Sequence, residues 1–522
     1  MLHSALTAVA AAVTITAVST LCMYLAACWR ARALRRMNPT MTVYAVLIPP
    51  RSVLTILNLI PPWMKIMFPP NWTFHGKYDR FKDTTDGVFA VCTMDQTNIQ
   101  VANPELSKEI MVNRYKEFLK PIHLYGSLDA FGKNVLTTER DEWRRHRKIA
   151  APTFSEQNNA LVHESSITIA QGMFAAWDKN SVTSSNGTQC SRVDVASDMM
   201  EFALSVISSA AFGIDIPWHT EPDHSEFRQG FQISFRQALE IVVNQIQIWI
   251  VIPKILFLLP IKYLQDMKKG FDEFEKYLDR IIDDAEGSAS VEKPKNLLQM
   301  LVKATLAEKS PESRLSKSEL KGNSFIFIFA GHETTGGVLH FALTLLALHP
   351  KKQQKLYDEI RQVLGNASAP EYKDLAKLKY ALSVMNETMR LFPPVTGIPK
   401  YTATQTLALG PYVLPARTYV SINTPGLHYN PAAWGGDLFE FKPERFMASD
   451  AASTGFAPFS EGPRGCVGKK FAQVEFVTLL TLISLKYTWK LPEGVDADRA
   501  LDTRHVITLK PKNPVEIIFT PR

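Results

Sequence analysis

The sequence predicts a mainly α-helical domain with small β-sheets, preceded by a single N-terminal transmembrane helix, and three observations carry that reading. Ala5 to Ala27 contains no charged residue. Apolar residues recur at three- and four-residue spacing over Pro104 to Val112, Glu139 to Ala151 and Gln157 to Trp177, and an apolar run without proline extends from Ser316 to His349. Strand-like alternation is confined to short stretches, chiefly Tyr401 to Val420, where Pro411 and Pro415 are breakers.

The uncharged segment is 23 residues long, or ~35 Å of helix at ~1.5 Å per residue, enough to cross a ~30 Å hydrocarbon layer. A cleaved signal peptide has a shorter apolar region with its basic residues in front. Here Arg30, Arg32, Arg35 and Arg36 come after, so the segment reads as an uncleaved anchor whose following residues stay in the cytosol. Residues 1–37 are therefore the anchor with its basic flank, and 38–522 a single domain. Two more apolar stretches, Val53 to Pro70 and Ile246 to Ile261, contain prolines that forbid a spanning helix. They are either packed core or shallow insertions beside the anchor, and the second reading is preferred.

Ser316-Lys317-Ser318-Glu319 is a capping box that opens a helix of ~33 residues, ~50 Å long, stopped by Pro350. That length lets it pass through a domain. A shorter helix over Lys377 to Leu391 ends at Pro393-Pro394, and helix returns at Val467.

Composition narrows the function. Of 522 residues, 46% are hydrophobic and 21% charged, with a formal net charge of +7. Four of those positive charges are the arginines after the anchor, and the excess of three elsewhere argues against a nucleic-acid partner. Five cysteines, Cys22, Cys28, Cys92, Cys190 and Cys466, form no CxxC and no disulfide framework, which fits a reducing compartment.

The chemistry-bearing segment is Phe459-Ser460-Glu461-Gly462-Pro463-Arg464-Gly465-Cys466-Val467-Gly468. Its glycines permit tight turning, and a thiolate at the start of the following helix is stabilised by free backbone N–H groups and the helix dipole. A phosphate-binding loop is excluded by the glycine spacing and by Lys470 where Ser or Thr is needed. The pattern Phe459, Gly462, Arg464, Cys466, Gly468 resembles the haem-binding loop of the cytochromes P450 at all five fixed positions, a match that chance produces on the order of 10⁻⁴ times in a chain of this length. The resemblance implies the cytochrome P450 fold and haem b with Cys466 as axial thiolate. Such a ligand pushes electron density onto the iron and favours O–O cleavage.

Three further motifs stand in the order that family requires. Glu387-Thr388-Met389-Arg390 resembles its ExxR, which with Arg445 would support the haem loop. Ala330-Gly331-His332-Glu333-Thr334-Thr335 resembles its oxygen-binding signature: small residues leave space, and Glu333 beside the Thr334 hydroxyl can relay protons, while His332 is read as a packed histidine. Trp143 and Arg147 resemble WxxxR, which with Arg464 would bind the haem propionates. Lys400 falls where relatives often carry Arg and offers a point charge in its place. By family position the substrate is lined by parts of Phe118 to Leu136 and by Phe327, Ala330, Val395 and Ile398, an apolar set.

The resemblance implies a monooxygenase that inserts one oxygen atom of O2 into a C–H or C=C bond, the other leaving as water. Electrons would come from NADPH through a separate cytochrome P450 reductase, with cytochrome b5 as a second donor, and Arg144, Arg145, Lys148, Lys469 and Lys470 are candidates to receive an acidic partner. The expected location is the endoplasmic reticulum membrane, single-pass, with the catalytic domain facing the cytosol. The motif wording is most similar to microsomal fungal enzymes of specialised (secondary) metabolism, so a terpenoid is the expected hydrophobic substrate, ahead of a fatty acid or polyketide. A haem-thiolate isomerase or dehydratase is the reading from a different class, and Glu333-Thr334 argues against it.

Overall fold

The structure is a computed structural model that describes residues 2–46, 71–183, 187–216, 218, 230–289, 294–447, 455–505 and 507–522. The apolar stretch Val53 to Pro70 and the prolines at 49 and 50 lie outside the described residues. Helices of ten residues or more are numbered here: α1 Leu2–Met37, α2 Arg140–Ala150, α3 Glu156–Lys179, α4 Val195–Phe212, α5 Phe235–Val251, α6 Lys262–Ala289, α7 Leu297–Leu306, α8 Lys317–Leu348, α9 Pro350–Leu364, α10 Lys379–Leu391 and α11 Lys469–Lys486.

The long helix α8 organises the domain. Both halves of the expected capping box form, the Ser316 hydroxyl accepting from Glu319 N–H and the Glu319 carboxylate from Ser316 N–H. Leu, Ile and Phe occur on all of its sides, so it is buried all round and runs through the core. The exception is the stretch holding Ala330, Gly331 and Thr334, which is accessible. Helix α4 crosses α8 closely because Gly336 has no side chain: a Cβ there would lie 2.7 Å from Met200 Sδ and 2.9 Å from Met199 O. Among the described residues, α4 is the helix long and apolar enough to cross a membrane, but 72% of it is buried inside the protein, where it serves as core.

The strands are more numerous than the sequence pattern suggests. A five-stranded sheet has the order β1–β2–β3–β9–β6, from Thr42–Ala45, Val88–Cys92, Thr97–Val101, Tyr419–Asn423 and Gly397–Tyr401. A four-stranded sheet runs β10–β13–β5–β4, from Tyr487–Lys490, Glu516–Pro521, Gln189–Asp194 and Val182–Thr183. The pairs β7–β8 (Leu407–Leu409, Tyr412–Leu414) and β11–β12 (Thr503–His505, Leu509–Pro511) are separate hairpins. The alternation, read chiefly at Tyr401 to Val420, does not announce β2, β3 or β5. In particular β3 pairs in parallel with β9, Ile99 against Val420, a partner too distant in sequence for local alternation to announce.

Helix α1 outlasts the uncharged segment. It continues through the basic cluster to Met37, and Ala31 and Leu34 enter a second hydrophobic core with Val43 of β1 and Val88 and Ala90 of β2. Arg30 donates to Met94 O at 3.2 Å and Arg35 to Val43 O. Asn38 then exchanges hydrogen bonds with Val413, Nδ2 to O at 2.9 Å and N–H to Oδ1 at 2.7 Å. Arg30 and Arg35 of the basic flank thus hold the end of α1 against the sheet.

Candidate active site

Between α8, the segment before β6, the β11–β12 hairpin and the loop preceding α11 lies a cavity of about 1240 Å³. It exceeds the ~300–1,000 Å³ of an ordinary ligand pocket. Trp143, Arg147, Phe327, Ala330, Glu333, Thr334, Val395, Ile398, Lys400, Phe459, Arg464, Cys466 and Gly468 all line it. Of the segment Phe118 to Leu136, Leu124, Tyr125, Leu128, Val135 and Leu136 reach the cavity, whereas Phe118 packs into the core beneath the sheet.

The loop that carries Cys466 is a tight turn. Gly462 has φ +68°, and a Cβ on it would lie 2.5 Å from Met111 O, so only glycine fits. Cys466 N–H donates to Phe459 O at 2.9 Å, which closes the loop. Arg147 of α2 donates to Gly465 O at 2.7 Å, clamping it from the α2 side. Cys466 is exposed by surface area yet surrounded by protein, because its sulfur faces the internal cavity. Burial pushes its thiol up, while the Gly468 backbone N–H, Arg147 and Lys469 favour the thiolate.

Beneath the loop the ExxR pair is fully buried. Arg390 forks onto Glu387 at 2.7 and 2.9 Å and spends its remaining donors on His428 O (3.1 Å), Leu438 O (2.9 Å) and Glu440 O (3.2 Å). All five guanidinium N–H groups are thereby satisfied. Arg445 joins at 3.3 Å to Glu387 and 2.6 Å to Asp437. His428, absent from the motifs, connects this network to the loop. Its Nδ1 donates to Arg390 O at 3.2 Å, so its Nε2 is the acceptor for Ala457 N–H, also at 3.2 Å. Burial and the neighbouring Arg390 hold its pKa down to about 3, which keeps the ring neutral and that tautomer in place.

Whether these residues suit an iron protoporphyrin is decided by charge. Lys120, Arg147, Lys400 and Arg464 all line the cavity. Desolvation pushes Lys120 well below its ordinary range and Lys400 down to about 8, and each is lowered further by Arg464. The carboxylate that attracts Lys120, Lys400 and Arg464 is Glu139, ion-paired with Arg464. Four inward basic side chains, three of them sharing the one carboxylate of Glu139, leave the site short of buried negative charge, which two propionates would supply. The Arg464 guanidinium stacks over the Trp143 indole at 4.1 Å, so Trp143 holds Arg464 in position. The residues fit the group. Lys120 was not named from the sequence; its only signal is a lone lysine between Leu119 and Pro121.

Across the cavity, Thr334 Oγ1 donates to Ala330 O at 2.8 Å, which leaves its lone pairs available as acceptors. Glu333 is ion-paired with Lys510. His332 is buried and bonded to Ile328 O at 2.7 Å, in keeping with a packing role. Of the five basic candidates for docking a partner, Arg144, Lys148, Lys469 and Lys470 are exposed, while Arg145 is half-buried and ion-paired with Glu319.

The cytochrome P450 family model matches residues 58–519. Cytochrome P450 monooxygenase 124 of Postia placenta is 36% identical over 444 residues, 81% of this chain and 82% of that one. A cytochrome P450 monooxygenase of Arthrobotrys oligospora is 28% identical over 518 residues, 88% of each. The crystal structure of the cytochrome P450DA heme domain superposes with a TM-score of 0.68 at 24% identity, covering 86% of this chain and 92% of that one, a likeness of fold. The fold is that of a cytochrome P450 haem domain, with a cavity that opens onto the Cys466 thiol. The chain belongs to the cytochrome P450 family and is a monooxygenase.

Proposed function

We propose that this monooxygenase hydroxylates or epoxidises a terpenoid, that Cys466 is its axial ligand, and that NADPH-cytochrome P450 reductase supplies its electrons. The observation that carries the reading is that Cys466 and the Glu333-Thr334 pair line the same apolar-walled cavity. Trp143, Arg147, Lys120, Lys400 and Arg464 would hold the haem, which when bound supplies the activation of O2. Phe327, packed edge-on against Phe154 at 5.2 Å between centroids, together with Val395 and Ile398, excludes water and orients a hydrophobic substrate. The Thr334 hydroxyl accepts and passes a proton, and Glu333 delivers it from the Lys510 side. A relative from Bacillus subtilis, 29% identical over 81% of this chain and 38% of its own length, is by name a bifunctional cytochrome P450/NADPH–P450 reductase, which favours a donor of that kind.

The proposed membrane setting rests on α1 and on the segment between α5 and α6. There Ile255 and Leu258 are 71% and 80% exposed, with Leu259 and Ile261, and Tyr263 in the first turn of α6, also exposed, an apolar surface suited to shallow insertion. A reconstitution of the full chain with reductase in vesicles, supplied with NADPH and a terpenoid panel, tests the reading. Oxygenated terpenoid products are expected; turnover of fatty acids alone overturns the substrate class. A thiolate-type spectrum of the reduced CO complex that survives Cys466→Ala overturns the ligand.

A further inference from the structure

The β11–β12 hairpin closes one end of the cavity. Leu509 N–H donates to Pro394 O at 2.9 Å, and a Cβ on Gly337 would meet Leu509 O at 3.5 Å, so the hairpin is wedged between the segment before β6 and α8. This end of a mainly apolar cavity carries hydroxyls. Thr503 and Thr508 both line it, only 3% and 4% exposed. Neither hydroxyl has a hydrogen-bond partner among the described residues. Beside them the Thr396 hydroxyl is shared with His505 Nε2 and Thr73 Oγ1, each at 3.2 Å.

A buried hydroxyl without a partner loses its hydration and gains nothing in return. Valine has the same shape and would fill either position without that loss. Two such threonines on one cavity wall therefore point to a partner that arrives with the ligand. Its charge can be read from the neighbours. Lys512, ion-paired with Asp502 at 3.0 Å, and Arg504 also line the cavity, and Lys510 is paired with Glu333; Arg504 is exposed to solvent, where its field is screened. The buried groups that face the ligand are neutral and both donate and accept.

We propose that Thr503 and Thr508 are the polar end of the substrate site and hold a neutral oxygen, a hydroxyl or a carbonyl, on an otherwise hydrocarbon skeleton. The proposal rests on the monooxygenase reading and narrows its substrate class: the molecule reaches this site already oxygenated, so a reaction that introduces an alcohol or a ketone precedes this one.

Four matched probes test it on the full-length holoenzyme by spectral binding titration: decalin, 2-decalol, 2-decalone and decalin-2-carboxylate. Into a purely apolar pocket the alcohol and ketone bind more weakly than decalin, because they lose hydration. Here they are expected to bind at least about 5-fold tighter, the worth of one net hydrogen bond. That preference is expected to fall in Thr503→Val and in Thr508→Val, measured singly, and to vanish in the double variant. Equal or tighter binding of decalin by the wild type overturns the proposal, as does a preference unchanged in both single variants. Tightest binding of the carboxylate replaces the neutral oxygen with an acid and overturns it too. Failure of the wild type to give a thiolate-type CO spectrum would instead strike the haem-thiolate reading, so the two failures are distinguishable.

Discussion

Lys510 of β12 is ion-paired with Glu333 in the middle of α8, and the second carboxylate oxygen of Glu333 is buried without a partner among the described residues. The acid beside Thr334 is thus held by one hand, from the hairpin that also presents Thr503 and Thr508 to the cavity. A ligand that moves the hairpin moves the cation that fixes the acid.

Lys510→Met should therefore uncouple turnover. It leaves Glu333, 4% exposed at its side chain, without its counter-charge, a change that costs ~3–5 kcal/mol for a fully buried pair and less here, where Lys510 is 20% exposed. Thr334→Ala should have the same signature without the stability loss. Proton delivery by a positioned group is worth ~10²–10⁴-fold, so in both variants NADPH consumption should divert to peroxide while substrate still binds. Product formed per NADPH, measured beside peroxide, checks this; unchanged coupling in Thr334→Ala removes that residue from the relay.

Arg390→Lys should abolish haem incorporation rather than slow turnover. Lysine has three donors on one atom and cannot serve Glu387, His428 O, Leu438 O and Glu440 O together. Glu387 would stay buried and under-compensated, at a cost of ~3–5 kcal/mol. The haem-to-protein ratio after purification is the measurement, and a fully loaded variant with low activity would contradict it.

Much of this site was legible in the sequence because its chemistry demands particular residues at short spacing. Gly462 must be glycine under Met111 O, Glu387 and Arg390 must share a helix face, and Ser316 with Glu319 must cap α8. What escaped were partners brought in from afar. Lys510 lies 177 residues beyond Glu333, and His428 bonds Arg390 O and Ala457 N–H across 38 and 29 residues; neither has a local pattern, since only the closed fold makes them neighbours. The parallel pairing of β3 with β9, Ile99 against Val420, escaped for the same reason. Arg147, expected to face a propionate, is bonded in the fold to the loop backbone at Gly465 O.

Acid should weaken the fold through His428. Its folded pKa is held to about 3 against an ordinary 6.5. Above pH 6.5 the ring is neutral in folded and unfolded chains alike, and the contribution is complete. As pH falls from 6.5 towards 3 the unfolded chain takes up a proton that the folded chain refuses, so stability is lost at up to ~1.4 kcal/mol per pH unit. His340, pushed to about 4 by burial, adds to the same window. His428→Gln should be less stable at pH 7, having lost the Arg390-to-Ala457 bridge, but its Tm should fall less steeply between pH 6.5 and 4. Thermal melts of both proteins across that range decide it, and parallel slopes would contradict it.

Glu475 sets an opposite pH dependence on the other side of α8. It is buried on α11, bonded to Thr335, and burial lifts its carboxyl well above the ordinary 4.5. The folded chain thus keeps a proton that the unfolded chain releases, and stability declines as pH rises above 4.5 towards the folded value. Glutamine has the same shape and stays neutral at every pH, so Glu475→Gln should match the wild type near pH 4 and exceed it increasingly towards pH 8. The difference in Tm between variant and wild type should grow with pH. Were the carboxylate instead ionised and matched within the fold, the order would reverse, with Glu475→Gln the less stable protein at pH 8.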